Sequence, residues 1–284
     1  MGDVSKAKSR GVVYLAFGRP YLAMALYSRM TLAESNPGLP ACIITNIEIN
    51  KSYLTCLAGD DCLIVLDGST SENRFVKTSI IDYSPFDETF FIDCDTVIMS
   101  RLDHGFEYLR FFDVCVRLNP YPQTRKGKAD IQLFEDLDVG DCPHWNSGVL
   151  IFRKTDASQQ FFTDWAENFK CLGNKYDQVS LVKAVFESSA KFLSLDGRWN
   201  AVDPFVGRRS WRRRTKVFHY ATNINDRLLR GICKVDRKML APALGSHTDE
   251  TQAFLLRKRK SKRVQLGLLR YAFIRVVWRL APTL

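Results

Sequence analysis

The sequence lacks any Cys-x-x-Cys pair, although it carries eight cysteines in 284 residues. Scattered thiols in a chain of this length do not form the framework of a small disulfide-stapled domain. Most of them stand in apolar runs, which fits reduced, buried thiols and a cytoplasmic setting. Internal repeats and low-complexity linkers are also absent ahead of the C-terminal tail, so the body reads as one large α/β domain or two small ones. The opening "MGDVSKAKSRG" has no apolar run of the kind a secretory signal needs, and none is expected. Gly2 meets only the loosest part of a myristoylation pattern, because Lys6 stands where Ser or Thr is wanted.

Acidic residues are missing from one region. Between Phe254 and Leu284 there is no Asp or Glu, against nine Lys or Arg. Removing those nine from the net charge of +10 leaves +1 for residues 1–253. The basicity therefore belongs to one appendage. A neutral body offers no second basic surface, so nucleic acid is not an expected partner.

What the chain does contain is an alternation of strand and helix patterns. "GVVYLAF" (11–17) is a continuous apolar run ending in Gly18, followed by "PYLAMALYSRMTLAES" with helical spacing and Pro at its first turn. "ACIITN", "DCLIVLD" and "TFFIDCD" read as further strands, with the polar "SENRFVKTSIIDYSP" between the last two as a helix. Short links between strand and helix predict parallel βαβ units, whose ligands collect at the carboxyl ends of the strands. "RFFDVCVRL" and "WNSGVLIFR" are later strands, "SQQFFTDWAENFKCL" and "YDQVSLVKAVFES" helices, and "KFLSLDGRWNAV" and "RTKVFHYA" the last strands. The expected fold is thus α/β, a Rossmann-like, mostly parallel sheet flanked by helices.

In "ETFFIDCDTVIMSRLD" an apolar strand runs straight into Asp93 and Asp95. Residues i and i+2 of an extended chain point to one side, and two like charges held together need a cation or a shared proton. The pattern alone has little weight. With 22 aspartates, chance supplies roughly 1.7 such pairs, and the chain has a second in Asp136 and Asp138. That one lies in the polar run "NPYPQTRKGKADIQLFEDLDVGDCP", without an apolar strand ahead of it. For Asp93 and Asp95 three readings stand: a loop or capping pair, a haloacid-dehalogenase-type phosphatase with Asp93 as nucleophile, or a divalent cation held between these carboxylates and a diphosphate. In the phosphatase family the motif opens the fold, whereas here a long α/β stretch precedes it.

"SPFDETFFIDCDTVI" resembles the metal-binding segment of sugar-nucleotide-dependent glycosyltransferases with the A-type fold, and specifically the glycogenin-like family eight, whose members retain anomeric configuration. Four other regions are similar in the same order: "GVVYLAFGRPYLAMALYSRMTL", "HWNSGVLIF", "YDQVSLVKAV", and "LDGRWNAV" with "KVFHYA". The resemblance implies a metal, Mn²⁺ or Mg²⁺, on Asp93, Asp95 and His219, where a core histidine is the alternative for His219. It implies a nucleotide-sugar donor, UDP by preference, held by Ala16, Phe17, Gly18, Tyr21, Asp93, Cys94, Asn146, Ser147 and Gly148. Lys77 would pair with phosphate or a donor-proximal carboxylate, unless it is simply solvated. Asp177 and Gln178 would lie under the donor sugar as the catalytic pair, with an ordinary helix N-cap as the alternative for Asp177. Retention implies either a double displacement or front-face attack guided by the leaving phosphate. Many family members follow the histidine with a Lys-Pro-Trp segment that grips the diphosphate. This chain reads "HYATNINDRL" instead, and the arginines of "GRRSWRRR" (207–214) are the substitute on offer.

Residues 1–250 are expected to form the catalytic domain and 251–284 a basic tail. In "VQLGLLRYAFIRVVWRL" the apolar residues share one helical face, and three arginines interrupt a stretch too short to span a bilayer. Preceded by "RKRKSKR", this predicts a basic amphipathic helix lying on an anionic membrane surface at its inner face, near a glycan or lipid-linked acceptor, with a helix docked on the body and a solvated basic face as the alternative. A non-catalytic adaptor built on a sugar-nucleotide fold is the other functional class.

Overall fold

The computed structural model describes residues 9–119, 144–173, 177–202, 215–221, 223–245 and 248–259. Its centre is a seven-stranded sheet. The strands are β1 (Arg10–Ala16), β2 (Ala41–Thr45), β3 (Cys62–Val65), β4 (Glu88–Ile92), β6 (Val114–Leu118), β7 (Trp145–Arg153) and β8 (Phe192–Leu195), in the order β3-β2-β1-β4-β7-β6-β8. β3, β2, β1 and β4 run parallel, β7 is antiparallel to both neighbours, and β6 pairs with β8 in parallel. A separate two-stranded antiparallel ribbon joins β5 (Thr96–Ile98) to β9 (Val217–His219). The expected mixed, mostly parallel sheet is present.

β1 explains why the sheet is covered on both faces. Val12, Tyr14 and Ala16 face a core packed under helix α1 (Arg19–Ser35). Val13, Leu15 and Phe17 face a second core built on Phe161, Phe162 and Trp165 of helix α3 (Asp156–Cys171). Period-2 side chains that are apolar on both sides make a strand that must be buried on both sides. Burial of each large residue contributes roughly 1.5–3 kcal/mol.

Several sequence expectations need correction. The segment 71–85 is not one helix but a 3-10 turn, a short helix α2 (Asn73–Thr78) and a single turn Ile80–Tyr83. In "KFLSLDGRWNAV" only Phe192–Leu195 is strand, although Ala201 makes an isolated bridge to Phe218. "KVFHYA" joins the small ribbon rather than the main sheet. The described cysteines are free thiols, but only Cys42, Cys94 and Cys115 are buried, while Cys56, Cys62 and Cys233 are half-buried and Cys171 is exposed.

Toward the C-terminus come helix α5 (Asp226–Val235), a π-helical turn Asp236–Leu240 and helix α6 (Thr248–Lys258). α6 runs across the boundary expected at residue 250 and packs on the body through Leu255, which is fully buried. The acidic run at 136–138, the arginine run at 207–214 and the amphipathic stretch at 264–280 lie outside the described residues. Among the described residues no helix is long and apolar enough to cross a membrane.

Candidate metal centre

The sheet order reverses at β1 and β4, since β2 lies to one side of β1 and β7 beyond β4. Crevices at such switch points, outside the carboxyl ends of the strands, bind ligands. Gly18 follows β1 there and the segment 93–95 follows β4. Gly18 has φ +91, a conformation that favours glycine, and its N–H donates to Asn46 Oδ1 at 2.7 Å. Pro20 then opens α1, where a missing N–H costs nothing.

The chain leaves the main sheet at Asp93 and enters the ribbon at Thr96. Asp93 N–H donates to the Gly148 carbonyl at 2.9 Å, one step beyond the β4–β7 ladder. The turn is fixed from inside. Thr96 Oγ1 lies 2.9 Å from the Asp93 carbonyl and 2.8 Å from Ser28 Oγ. Cys94 points inward, its thiol 2.9 Å from the Leu15 carbonyl, and burial holds that thiol well above its ordinary pKa. Only its main chain is left for a ligand.

Ribbon register brings in the histidine. Thr96 is the direct partner of His219, and Tyr220 N–H donates to the Asp95 carbonyl at 3.0 Å. Ligand atoms of Asp93, Asp95 and His219 therefore fall within 4.8 Å of one another. His219 Nε2 is 3.1 Å from Asp95 Oδ1. Burial pushes the imidazole pKa down, but the Asp95 charge outweighs it and raises it overall. Burial likewise pushes Asp95 up, and His219 with Lys258 brings it far below the usual carboxylate range.

The tautomer of His219 follows from its other neighbours. Gly148 N–H donates to Asn146 Oδ1 at 2.9 Å, so that atom is an acceptor. Asn200 Nδ2 donates to the same oxygen at 2.8 Å, which turns Asn200 Oδ1 toward His219 Nδ1 at 3.1 Å. Nδ1 must carry a proton, and Nε2, which faces Asp95, is the nitrogen that could turn to a cation on losing its own. Two neighbouring ligands of an octahedral hard cation at about 2.1 Å stand about 3 Å apart, close to the 3.1 Å between Asp95 Oδ1 and His219 Nε2. Two carboxylates, one imidazole and that spacing fit a divalent cation.

A second set of contacts lies beside the first. Lys77, from α2, places Nζ 2.8 Å from Asp93 Oδ1 and 3.7 Å from Asp177 Oδ2, with the Phe91 ring centroid at 5.2 Å. Burial opposes its charge, but Asp93 and Asp177 raise its pKa overall. Ser147 Oγ donates to Asp177 Oδ2 at 3.1 Å. Asp177 is the first residue of helix α4 (Asp177–Glu187), and its carbonyl accepts from Trp165 Nε1 at 2.8 Å. Of the predicted residues, Lys77, Asp93, Asp95, Asn146, Ser147, Gly148, Asp177 and His219 are thus tied into one network, with Gln178 next in α4. Ala16 and Phe17 are buried in the two cores, and the Ala16 carbonyl already accepts from Thr45 Oγ1 at 2.8 Å. Tyr21 is packed edge-on against Phe254 of α6, centroids 5.1 Å apart.

Two residues of the network escaped the sequence reading. Asn200 sits inside a segment already singled out, yet an amide two places past a glycine-arginine pair carries no sign of a histidine partner. Lys258 reaches Asp95 Oδ2 at 3.3 Å from a helix that reads as surface charge.

No protein-family model matches this chain, and no curated protein matches it by sequence. Solved structures do. The chain is similar to mouse xyloside xylosyltransferase 1 in its apo form, at TM-score 0.54 and 14% identity over 76% of this chain and 99% of that one. It is similar to the WbbM bifunctional glycosyltransferase in its apo form, at TM-score 0.58 and 14% identity, covering 91% of this chain but 53% of the other. It is also similar to the galactosyltransferase LgtC in complex with donor and acceptor sugar analogs, at TM-score 0.56 and 13% identity over 81% and 95%. The fold is therefore the A-type glycosyltransferase fold.

Proposed function

We propose that this protein is a metal-dependent, retaining glycosyltransferase of the glycogenin-like kind, moving a hexose from a nucleotide-sugar, UDP-linked by preference, to a hydroxyl of a glycan or lipid-linked glycan. The observation that carries the reading is the Asp93–Asp95–His219 cluster at the switch point of the sheet, with His219 Nδ1 held against Asn200 so that Nε2 faces Asp95. Mn²⁺ or Mg²⁺ would be held by these three side chains and, when bound, supplies positive charge to the departing nucleoside diphosphate.

The remaining roles follow from the contacts. Lys77 bridges Asp93 and Asp177 and would orient both at the donor. Asn146, Ser147 and Gly148 offer polar groups beside the metal ligands, and Gln178 stands one residue into α4. The main chain at residues 16–18, together with Tyr21, lines the crevice end of β1, where the nucleoside would rest. Asp177 is the carboxylate that the resemblance offers as a nucleophile, but Ser147 and Lys77 both draw on its Oδ2. A carboxylate so engaged is a poor nucleophile, which favours front-face departure and attack over a double displacement. The basic segment beyond α6 would rest on an anionic membrane surface, peripheral and on the cytoplasmic side, close to a lipid-linked acceptor.

The test is turnover. UDP-sugars incubated with the full chain should release UDP in the presence of Mn²⁺, and Asp95→Ala should abolish this. Equal turnover in EDTA, or in Asp95→Ala, contradicts the proposal.

A further inference from the structure

Helix α6 does more than pack on the body. Lys258, its last residue, extends to Asp95 with Nζ 3.3 Å from Oδ2, the oxygen opposite the one His219 faces. The ammonium is held rather than free to swing, because it lies 5.4 Å from the Tyr21 centroid and 5.5 Å from that of Phe254. Those rings pack on each other edge to face. The helix itself is anchored by fully buried Leu255 and by Arg259 Nη1, 2.8 Å from Asp226 Oδ1.

This contact changes the charge of the cluster. Asp93, Asp95 and Asp177 bring three formal negative charges within reach of one another. Lys77 answers for the Asp93–Asp177 side and Lys258 for Asp95. Two of the three charges are therefore neutralised by fixed cations, and a dication added to what remains leaves the cluster positive. Such a site holds the metal weakly by itself and strongly once an anion completes the balance. A diphosphate is the anion that reaches both the metal and the lysines.

Resting on the nucleotide-sugar reading above, we propose that Lys258 is a positioning residue that makes metal binding conditional on the nucleotide diphosphate. It orients Asp95 through Oδ2, leaving Oδ1 for the metal, and its charge penalises the metal alone while favouring the metal with its anion. Reciprocity requires that whatever UDP adds to Mn²⁺ affinity, Mn²⁺ adds to UDP affinity. A helix late in the chain, packed against α1 and α5, thus forms part of the donor site.

The experiment measures free Mn²⁺ by electron paramagnetic resonance during titration of the full chain, with and without UDP, in wild type, Lys258→Met and Lys258→Arg. Lys258→Met keeps the length of the side chain and removes its charge. It should bind Mn²⁺ alone about tenfold more tightly than wild type, and the gain in affinity that UDP confers should shrink by about the same factor. Lys258→Arg should restore wild-type behaviour, which separates charge from helix packing, and thermal unfolding of all three checks the fold. Unchanged or weaker Mn²⁺ affinity in Lys258→Met overturns the inference on its own. Failure of wild type to bind Mn²⁺ even with UDP overturns it together with the nucleotide-sugar reading.

Discussion

His219 Nδ1 lies 3.1 Å from Asn200 Oδ1, and this one contact decides which imidazole nitrogen can serve a cation. Asn200 is fully buried and its own amide is oriented by Asn146, which is oriented in turn by a backbone N–H. The chain of donors and acceptors has no slack, because each acceptor is already identified by the donor before it.

Replacing Asn200 by Ala should therefore weaken Mn²⁺ binding by about tenfold to a hundredfold, the usual range for an outer partner of a ligating histidine. Asn200→Asp keeps an acceptor for Nδ1 but loses the donor to Asn146, and should fall between wild type and Asn200→Ala. Isothermal titration of Mn²⁺ in the presence of UDP reads both. Equal affinity in all three proteins would remove the tautomer argument.

Gly148 is needed for space. A Cβ built there would stand 2.7 Å from His219 Cε1 and Nδ1 and 2.9 Å from Asn146 Oδ1. Contacts that short displace the imidazole or bend β7. Gly148→Ala should lower stability by about 1–3 kcal/mol, as overpacking does, and reduce metal affinity with it. Thermal unfolding gives the first effect and metal titration the second.

Lys77 is the single cation that Asp93 and Asp177 share among the described residues. Lys77→Met should leave two carboxylates facing one another and cost about 1.5–3 kcal/mol, the usual loss for a hydrogen bond to a charged group. Turnover should also fall, since on the proposed function both carboxylates would face the donor. Chemical denaturation together with UDP release from a UDP-sugar measures the two separately, and a variant with full turnover would exclude Lys77 from the site.

Away from the site, Asp113 predicts a pH effect. Its oxygens accept from Arg153 Nη2 at 2.9 Å and from Lys191 N–H at 2.9 Å. Burial pushes its pKa up, but the Lys191 N–H and the Arg153 guanidinium outweigh it and hold the carboxyl below the ordinary value. A carboxyl depressed by folding adds stability that is complete above the unfolded value, about 3.9, and is lost as pH falls through the native one. Asp113→Asn should be less stable than wild type at neutral pH, and the gap in melting temperature should close as pH falls below about 4. A gap that stays constant down to pH 2 would show that the carboxylate charge is not what stabilises this corner.

The parallel half of the sheet was legible in the sequence, because β1, β2 and β4 carry apolar runs and α1 stands clearly between the first two, whereas the broken helix ahead of β4 was not legible. Asp93 and Asp95 were legible as a candidate cation pair from the strand that runs into them, and His219 only through resemblance. What brings His219 to them is the register of a ribbon of two three-residue strands, and strands that short leave no periodicity to read. Asn200 carries no local signal, since its partners lie on β7 and β9. Lys258 was hidden for a different reason. It is the second residue of a basic run whose composition speaks for solvent, while the packing of Phe254 and Leu255 one turn earlier turns it inward. Charge counts along a chain do not reveal which single ammonium a helix delivers to a carboxylate.

On the proposed function, a divalent cation joins Asp93, Asp95 and His219 to a nucleotide diphosphate. Calorimetric titration of UDP into the full chain tests it most directly, run with Mn²⁺, with EDTA, and with Asp95→Ala in Mn²⁺. Saturable heat in the first case alone is the predicted result. Heat of the same size in EDTA, or none in Mn²⁺, contradicts it.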